Sequence, residues 1–417
     1  MSDRRGFLKA VATGAGALAA AGTPVGTALA APGRQEDGGK RRSTGEPLWR
    51  HAAASGLLYG VGDLKFEQLA DPGYDAIVAQ EGVLATPGAD FLMDFVRTGT
   101  GPDYGFDWSR TDRWVTYAQE KKMLLSNVGH LVWHAVLPEG IESVLTAQNA
   151  EQVMVDHVQT VARRYARKVH SWNVVNETVE PVWGHPDGLR TESVWYQKLG
   201  PGFIETAFHA AREADPTALL VLNEYGFETH VGYQSETDKR RHTLALLERL
   251  LAKGVPVDAL GIQAHLGRPG PDPSGPRALM ERFDQEAYRT FLSDVASLGL
   301  KIMFTEVEVS DIDTPVDFAT RDRMIAEAYE LFLSVALDEP AVISVTTWGL
   351  ADQHSWLNQP WTAWRREDGL PQRPLPYDDQ YQRKPAREAM ARAFDRAPAH
   401  QLGTAALPMP RKYRKKR

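Results

Sequence analysis

From residue 57 to residue 348 the chain alternates short runs rich in β-branched and other apolar residues with longer stretches whose apolar positions recur every three or four residues. The short runs predict strands at Leu57–Val61, Tyr74–Val78, Met123–Val132, Val169–Val175, Leu219–Asn223, Ala259–Ala264, Ile302–Val307 and Val342–Trp348. Helical spacing is found at Val153–Ala166, Phe203–Ala214, His242–Ala252, Phe283–Leu298 and Arg323–Leu337. Strand and helix alternating without a break in composition imply an α/β fold with a parallel sheet, and eight units imply closure into a (β/α)8 TIM barrel, one catalytic domain over residues 47–397. A doubly wound open sheet competes on pattern alone. It requires a glycine-rich phosphate turn after an early strand, and Gly60-Val61-Gly62-Asp63 lacks the third glycine at that spacing.

Both ends depart from this pattern. Arg4 and Arg5 precede Phe7-Leu8-Lys9, a mildly apolar run to Ala21 and Ala28-Leu29-Ala30, so residues 1–30 resemble a twin-arginine signal peptide and imply a secreted or periplasmic protein. Residues 31–46 and 398–417, the latter strongly basic at its end, read as a disordered linker and a disordered tail. Of the 417 residues, 43% are hydrophobic and 24% charged, which suits one large core. The net charge of −7 gives no reason to expect nucleic acid or anionic lipid as a partner and favours a neutral substrate. The chain has no cysteine, so disulfides and thiolate metal sites are excluded. Beyond the leader nothing approaches the roughly 20 apolar residues of a membrane span. The mature protein is expected to be a monomer without membrane anchor, cofactor or metal.

In such a barrel, chemistry belongs to polar residues at the carboxyl ends of strands. The fourth run ends Asn176-Glu177 and the seventh passes through Glu306 to Glu308. Cleaving a glycosidic bond takes one carboxyl to protonate the leaving oxygen and a second to attack or to activate water, so two strand-end glutamates suffice. A lone strand-end glutamate is more often a cap or ion-pair partner. Here Asn223-Glu224-Tyr225 closes the fifth run and Gln263-Ala264-His265 the sixth, aiming polar groups at the same rim. His265 lies one strand from Glu306, where it can hold that carboxylate ionised and oriented. Trp348, Trp356, Trp361 and Trp364 crowd the last strand end, where indole faces suit sugar rings. His130 and His134 have the four-residue spacing of paired zinc ligands, but on a strand they would lie about 13 Å apart. Asn176-Glu177-Thr178 is a formal glycosylation sequon, unsuited to modification at a strand-end site.

These residues resemble glycoside hydrolase family 10, the barrel xylanases. Trp172-Asn173-Val174-Val175-Asn176-Glu177 is similar to the family's acid/base motif, and Phe304-Thr305-Glu306-Val307-Glu308-Val309 to its nucleophile motif. Gly129-His130-Leu131-Val132-Trp133-His134, Asn223-Glu224-Tyr225, Gly261-Ile262-Gln263-Ala264-His265-Leu266, Trp348-Gly349-Leu350-Ala351-Asp352 and Gln382-Arg383-Lys384-Pro385-Ala386 follow in the family's order, so the resemblance covers about residues 50–395. It implies retaining hydrolysis of β-1,4 bonds, by default as an endo-β-1,4-xylanase on xylan or xylo-oligosaccharides. By the same resemblance Glu177 is the acid/base, with a raised pKa, and Glu306 the nucleophile. It further implies that His134, Asn176, Tyr225, Gln263, His265, Trp348 and Trp356 bind substrate, with His265 contacting Glu306, and that Glu308, standing where the family commonly has Asp, is a supporting residue.

Departures qualify the substrate. Where the family carries Thr-Pro-Glu-Asn-Glu-Met-Lys-Trp after strand two, this chain reads Thr86-Pro87-Gly88-Ala89-Asp90-Phe91-Leu92-Met93, and Val136 falls in an altered segment after His134. Gly88, Ala89 and Leu92 remove polar contacts to sugar. Two alternatives therefore accompany xylan: the same chemistry on another β-glycoside, and a non-catalytic carbohydrate-binding protein on the same scaffold.

Overall fold

The computed structural model describes residues 45–99, 104–183, 185–228, 236–269 and 274–400, so the leader and most of both terminal segments lie outside the described residues. Its centre is a parallel sheet of β1 (Leu58–Leu64), β2 (Leu84–Pro87), β3 (Leu124–Leu125), β4 (Val128–Val132), β5 (Ser171–Asn176), β6 (Leu219–Glu224), β7 (Ala259–Ile262), β8 (His265–Leu266), β9 (Lys301–Val309) and β10 (Val342–Thr347). The order β3-β2-β1-β10-β9-β7-β6-β5-β4 has its two ends in one chain segment, because β3 and β4 are halves of one strand position interrupted at Ser126 and Asn127. β3 pairs with β2, β4 pairs with β5, and Leu125 bridges to Val169, which closes the (β/α)8 barrel. Asn127 makes the break by taking left-handed backbone (φ 50°), and its N–H is recovered by Ser171 Oγ at 2.7 Å. β8 extends the β7 position and pairs with the end of β9, His265 against Glu308.

Alternation along the strands divides the core in two. Leu219, Val221, Ala259, Met303 and Ile343 fill the barrel interior as a separate cluster, while Leu220, Leu222, Leu260, Ile302, Phe304 and Val345 face the surrounding helices in the main core. Continuing the inward series up β6 from Leu219 and Val221 arrives at Asn223, and up β9 from Met303 at Thr305, whose hydroxyl donates to Asn223 Oδ1 at 2.8 Å. The polar floor of the cleft is thus the next inward layer above an apolar one.

One predicted element is wrong. Tyr74–Val78 lies within a helix, Pro72–Glu81, and the second strand is Leu84–Pro87. The apolar run alone reads as a strand, but its start carries a helix signal: Pro72 occupies the first turn, and the Asp71 carboxylate accepts the Gly73 N–H at 2.8 Å. The other predicted strands are found with ends shifted by a few residues. At the carboxyl end, Pro398 and Ala399 are exposed but His400 is packed: it is buried, its N–H donates to Ser55 O at 2.6 Å, and its ring contacts Val342 O. No helix among the described residues is long and apolar enough to cross a membrane.

Candidate active site

The last inward layer of strand ends brings the two glutamates into one hydrogen-bonded network. Glu177 follows β5 directly, at φ 54°, and its N–H donates to Asn223 O at 2.9 Å. This left-handed residue turns the chain off the strand, so Glu177 leaves the alternation of β5 while remaining anchored to β6. One carboxylate oxygen accepts the Trp133 indole N–H at 2.9 Å and the other the Gln263 amide at 3.0 Å. Glu306, buried on β9, accepts the Asn223 amide at 3.0 Å on one oxygen and faces His265 Nε2 at 3.2 Å with the other.

His265 is shared between carboxylates, with Nδ1 2.9 Å from Glu308 Oε1. Burial pulls its pKa down, but hydrogen bonds to Glu306 and Glu308 and their charges outweigh burial and carry it up to about 10. Near neutral pH the ring is therefore an imidazolium donating from both nitrogens. Burial pushes the Glu308 carboxyl up, opposed by His265 and by the Trp356 indole, which donates at 2.5 Å. A cation between two acids holds Glu306 in place and offsets its charge. Asn176 accepts from Asn173 and Asn223 on its amide oxygen, at 3.0 and 2.9 Å, which fixes its rotamer and leaves Nδ2 free to donate to substrate.

Glu177 departs from the raised pKa that the resemblance implies. Burial does raise it, but the charge of His134, the Arg190 guanidinium, the Gln263 amide and the Trp133 indole more than offset burial and bring it down to about 2. Burial lowers the His134 pKa to about 4, so that ring is neutral at working pH and Arg190 is the lasting cation. These contacts favour the ionised form of Glu177.

Arg190 lies in the loop after β5. It donates from Nε to the Glu177 carbonyl at 2.9 Å and from its terminal nitrogens to Glu180, Glu192 and the Tyr225 hydroxyl. Glu224 caps the same loop, taking the N–H groups of Thr178 and Val179 at 2.6 and 2.8 Å. Tyr225 is placed beside this network: its hydroxyl meets Glu180 at 2.5 Å and Arg190 at 2.9 Å, and Lys239 and Arg268 lie over its ring. Thus Asn223, two residues earlier on the strand, is the side chain of that motif that reaches Glu306. Trp348 packs beside Gly62 and stands edge-on to His265, with ring centres 6.4 Å apart. Trp356 stacks on Trp361, which is exposed, and tilts against Trp364 at 5.1 Å. Leu92 is buried and offers nothing to the cleft.

Sequence reasoning thus missed Asn223, Trp133, Arg190 and Glu224 as site residues. Asn223 and Trp133 stand inside motifs already singled out, and inward alternation on β6 points to Asn223. Nothing in the spacing of Arg190 signals that its loop folds back under Glu177.

A closed (β/α)8 barrel with two strand-end glutamates, each clasped by amide, indole or imidazole donors, has the architecture of the barrel glycoside hydrolases. The chain belongs to glycosyl hydrolase family 10, whose sequence profile it matches over residues 50–393. It is 34% identical over 331 residues to endo-1,4-beta-xylanase C of Paenibacillus barcinonensis, covering 72% of this chain but only 27% of that protein. It is 29% identical to endo-1,4-beta-xylanase B of Thermotoga neapolitana, covering 68% and 74%. Among solved structures, native xylanase 10B of Thermotoga maritima superimposes with a TM-score of 0.70 at 28% identity, covering 84% of this chain and 98% of that one. Xylanase 10B of Thermotoga petrophila RKU-1, solved with xylobiose, gives 0.71 at 28% identity, covering 85% and 99%.

Proposed function

We propose that this protein hydrolyses β-1,4 bonds of xylan or xylo-oligosaccharides with retention, as an endo-β-1,4-xylanase. The observation that carries the reading is the paired clasp: Glu306 held by Asn223 and imidazolium His265, and Glu177 held by Trp133 and Gln263, on one polar layer. Glu306 attacks the anomeric carbon as the bond to the leaving oxygen breaks, and Glu177 gives that oxygen its proton. The glycosyl ester on Glu306 is then opened by a water whose proton returns to Glu177, restoring both carboxyls. Carboxyl groups about 5–5.5 Å apart are required for this retaining course. A sugar ring that excludes water from Glu177 and draws the Gln263 amide onto its own hydroxyl raises the acid's pKa when it is needed. Asn176 Nδ2 is a donor ready for a hydroxyl of the same ring.

The xylan assignment leans on the relatives' names, xylanases by title, and on the neutral hydroxyl-binding character of the layer. A second reading, the same chemistry on another β-glycoside, is favoured by Gly88, which presents no side chain where the family has a polar one. Both are tested by mass spectrometry of products after incubation with xylan, xylo-oligosaccharides and a panel of β-glycosides, beside Glu306→Ala. Xylo-oligosaccharides that vanish in the variant support the xylanase; sugar released only from another glycoside supports the second reading; release from none overturns both.

We further infer export through the twin-arginine route, on the strength of Arg4-Arg5 and the Ala28-Leu29-Ala30 site. Replacing both arginines with lysine should retain the protein in the cytoplasm. One barrel carries both carboxyls, so a single chain suffices for catalysis.

A further inference from the structure

Gly88 follows β2 where the family resemblance implies a polar side chain, and its neighbours show what stands beside that position. A Cβ built on Gly88 would lie 3.0 Å from Asp63 Oδ1 and 3.6 Å from Lys65 Cε, both at the carboxyl end of β1. The Gly88 N–H donates to Leu64 O at 2.9 Å, so the end of β2 is fastened between these two residues. Asp63 takes left-handed backbone (φ 47°), unusual for a residue other than glycine and costly unless the surroundings hold it. Its carboxylate is buried and takes the Lys65 ammonium on both oxygens, at 2.7 and 2.6 Å. Lys65 itself keeps 39% of its side chain exposed.

The pair is also close to the chemistry. Gly62, the residue before Asp63, packs on the Trp348 ring, 2.6 Å from the place a Cβ would take. The carboxyl of Asp63 is pushed up by burial and held back by Lys65, and it feels the charges of Glu306 and His265. In the sheet, β1 is separated from the nucleophile's strand only by β10, with the acid's strand farther off. The acid stands at the leaving group, so the nucleophile's far side is where the glycone sugars lie.

Resting on the glycosidase reading above, we propose that Lys65, braced by Asp63, is a specificity-determining donor to glycone-side sugar hydroxyls, supplying from β1 the polar contact that Gly88 and Leu92 do not supply from β2. An ammonium has three N–H donors, and Asp63 occupies two, leaving one for a ligand. The bidentate carboxylate offsets the lysine charge, so the pair suits a neutral hydroxyl rather than an acidic decoration. Stability alone does not account for it: a partly exposed ion pair contributes little, while a buried carboxylate on strained backbone costs.

The test uses the full chain with Lys65→Met, Lys65→Arg and Asp63→Asn, read by steady-state kinetics on xylotetraose, by thermal melting, and by calorimetric binding of xylotetraose in a Glu306→Ala background. Loss of a charged donor predicts a fall of about 10- to 100-fold in kcat/KM for Lys65→Met, carried mainly by KM. Binding should weaken by a similar factor, melting should fall by no more than stranding the buried Asp63 carboxylate costs and leave the protein folded at the assay temperature, and Lys65→Arg should recover part of the loss of binding. Asp63→Asn should fall between the two lysine variants. Equal binding and kcat/KM in wild type and Lys65→Met overturns the inference while leaving the hydrolase reading intact, as does a loss confined to kcat or to melting temperature. If the wild type cleaves nothing, the hydrolase reading falls, and xylotetraose binding that is absent or indifferent to Lys65→Met overturns the inference with it.

Discussion

Two carboxylates in this barrel are withdrawn from water and matched to cations, and their surroundings differ in one respect. Glu81, at the end of the Pro72–Glu81 helix, is saturated. One oxygen takes the Tyr377 hydroxyl at 2.6 Å and the other the Leu48 N–H at 2.6 Å, while Arg387 lies 3.3 and 3.2 Å from the two. Glu306 has one donor per oxygen, and the groups around it are left short: Asn176 Nδ2, His130 Nδ1, His134 Nδ1 and Glu308 Oε2 find no protein partner among the described residues. The Glu81 cluster joins the first helix of the barrel to the last and has no further work. The Glu306 layer keeps donors and acceptors in reserve, as a site must if sugar hydroxyls are to replace protein partners.

That contrast can be broken from either side. The largest effect is expected at Glu177→Ala, which should slow substrates with poor leaving groups by about 10²–10⁴-fold and activated aryl glycosides far less. Pre-steady-state rates on the two classes check it, and equal slowing of the first chemical step would reverse the assigned roles. Next, Arg387→Met should cost about 3–5 kcal/mol of stability by stranding buried Glu81, seen as a shifted denaturation midpoint, with kcat unchanged on the folded protein. A parallel loss of kcat would mean the two regions are coupled. The smallest effect concerns Arg190. With Glu177 as the proposed acid, kcat/KM should decline as pH rises through its pKa. Removing the Arg190 charge raises that pKa, and Arg190→Met should move the alkaline limb upward by about one pH unit. In the wild type the alkaline limb of kcat should lie above that of kcat/KM, because bound sugar raises the acid.

The barrel was legible because its strands are compact apolar runs buried on both faces, and such runs survive in a single sequence. The exception, Tyr74–Val78, shows the limit: an apolar run of five residues serves a strand or a helix equally, and only Asp71-Pro72 before it decides. Glu177, Glu306 and His265 were legible because a strand end fixes where a side chain stands. The acidity of Glu177 was not, since it depends on a guanidinium returned by a loop, and no periodicity encodes where a loop returns. Lys65 was overlooked for a similar reason: it matters only beside a glycine on a neighbouring strand.

The first strand is paired with the last, Leu58 to Ser344 through Val61 to Thr347, and the chain beyond β10 returns to lay Pro385–Arg396 against Leu48–Ala54 and His400 against Ser55. A ribosome therefore delivers the partner of β1 only after every other strand of the barrel has been made. Throughout synthesis the opening strand has one neighbour and one bare edge, and closure is a contact between regions most remote in sequence, the kind that slows folding. The interval in which that edge stays bare is set by the length of chain between β1 and β10.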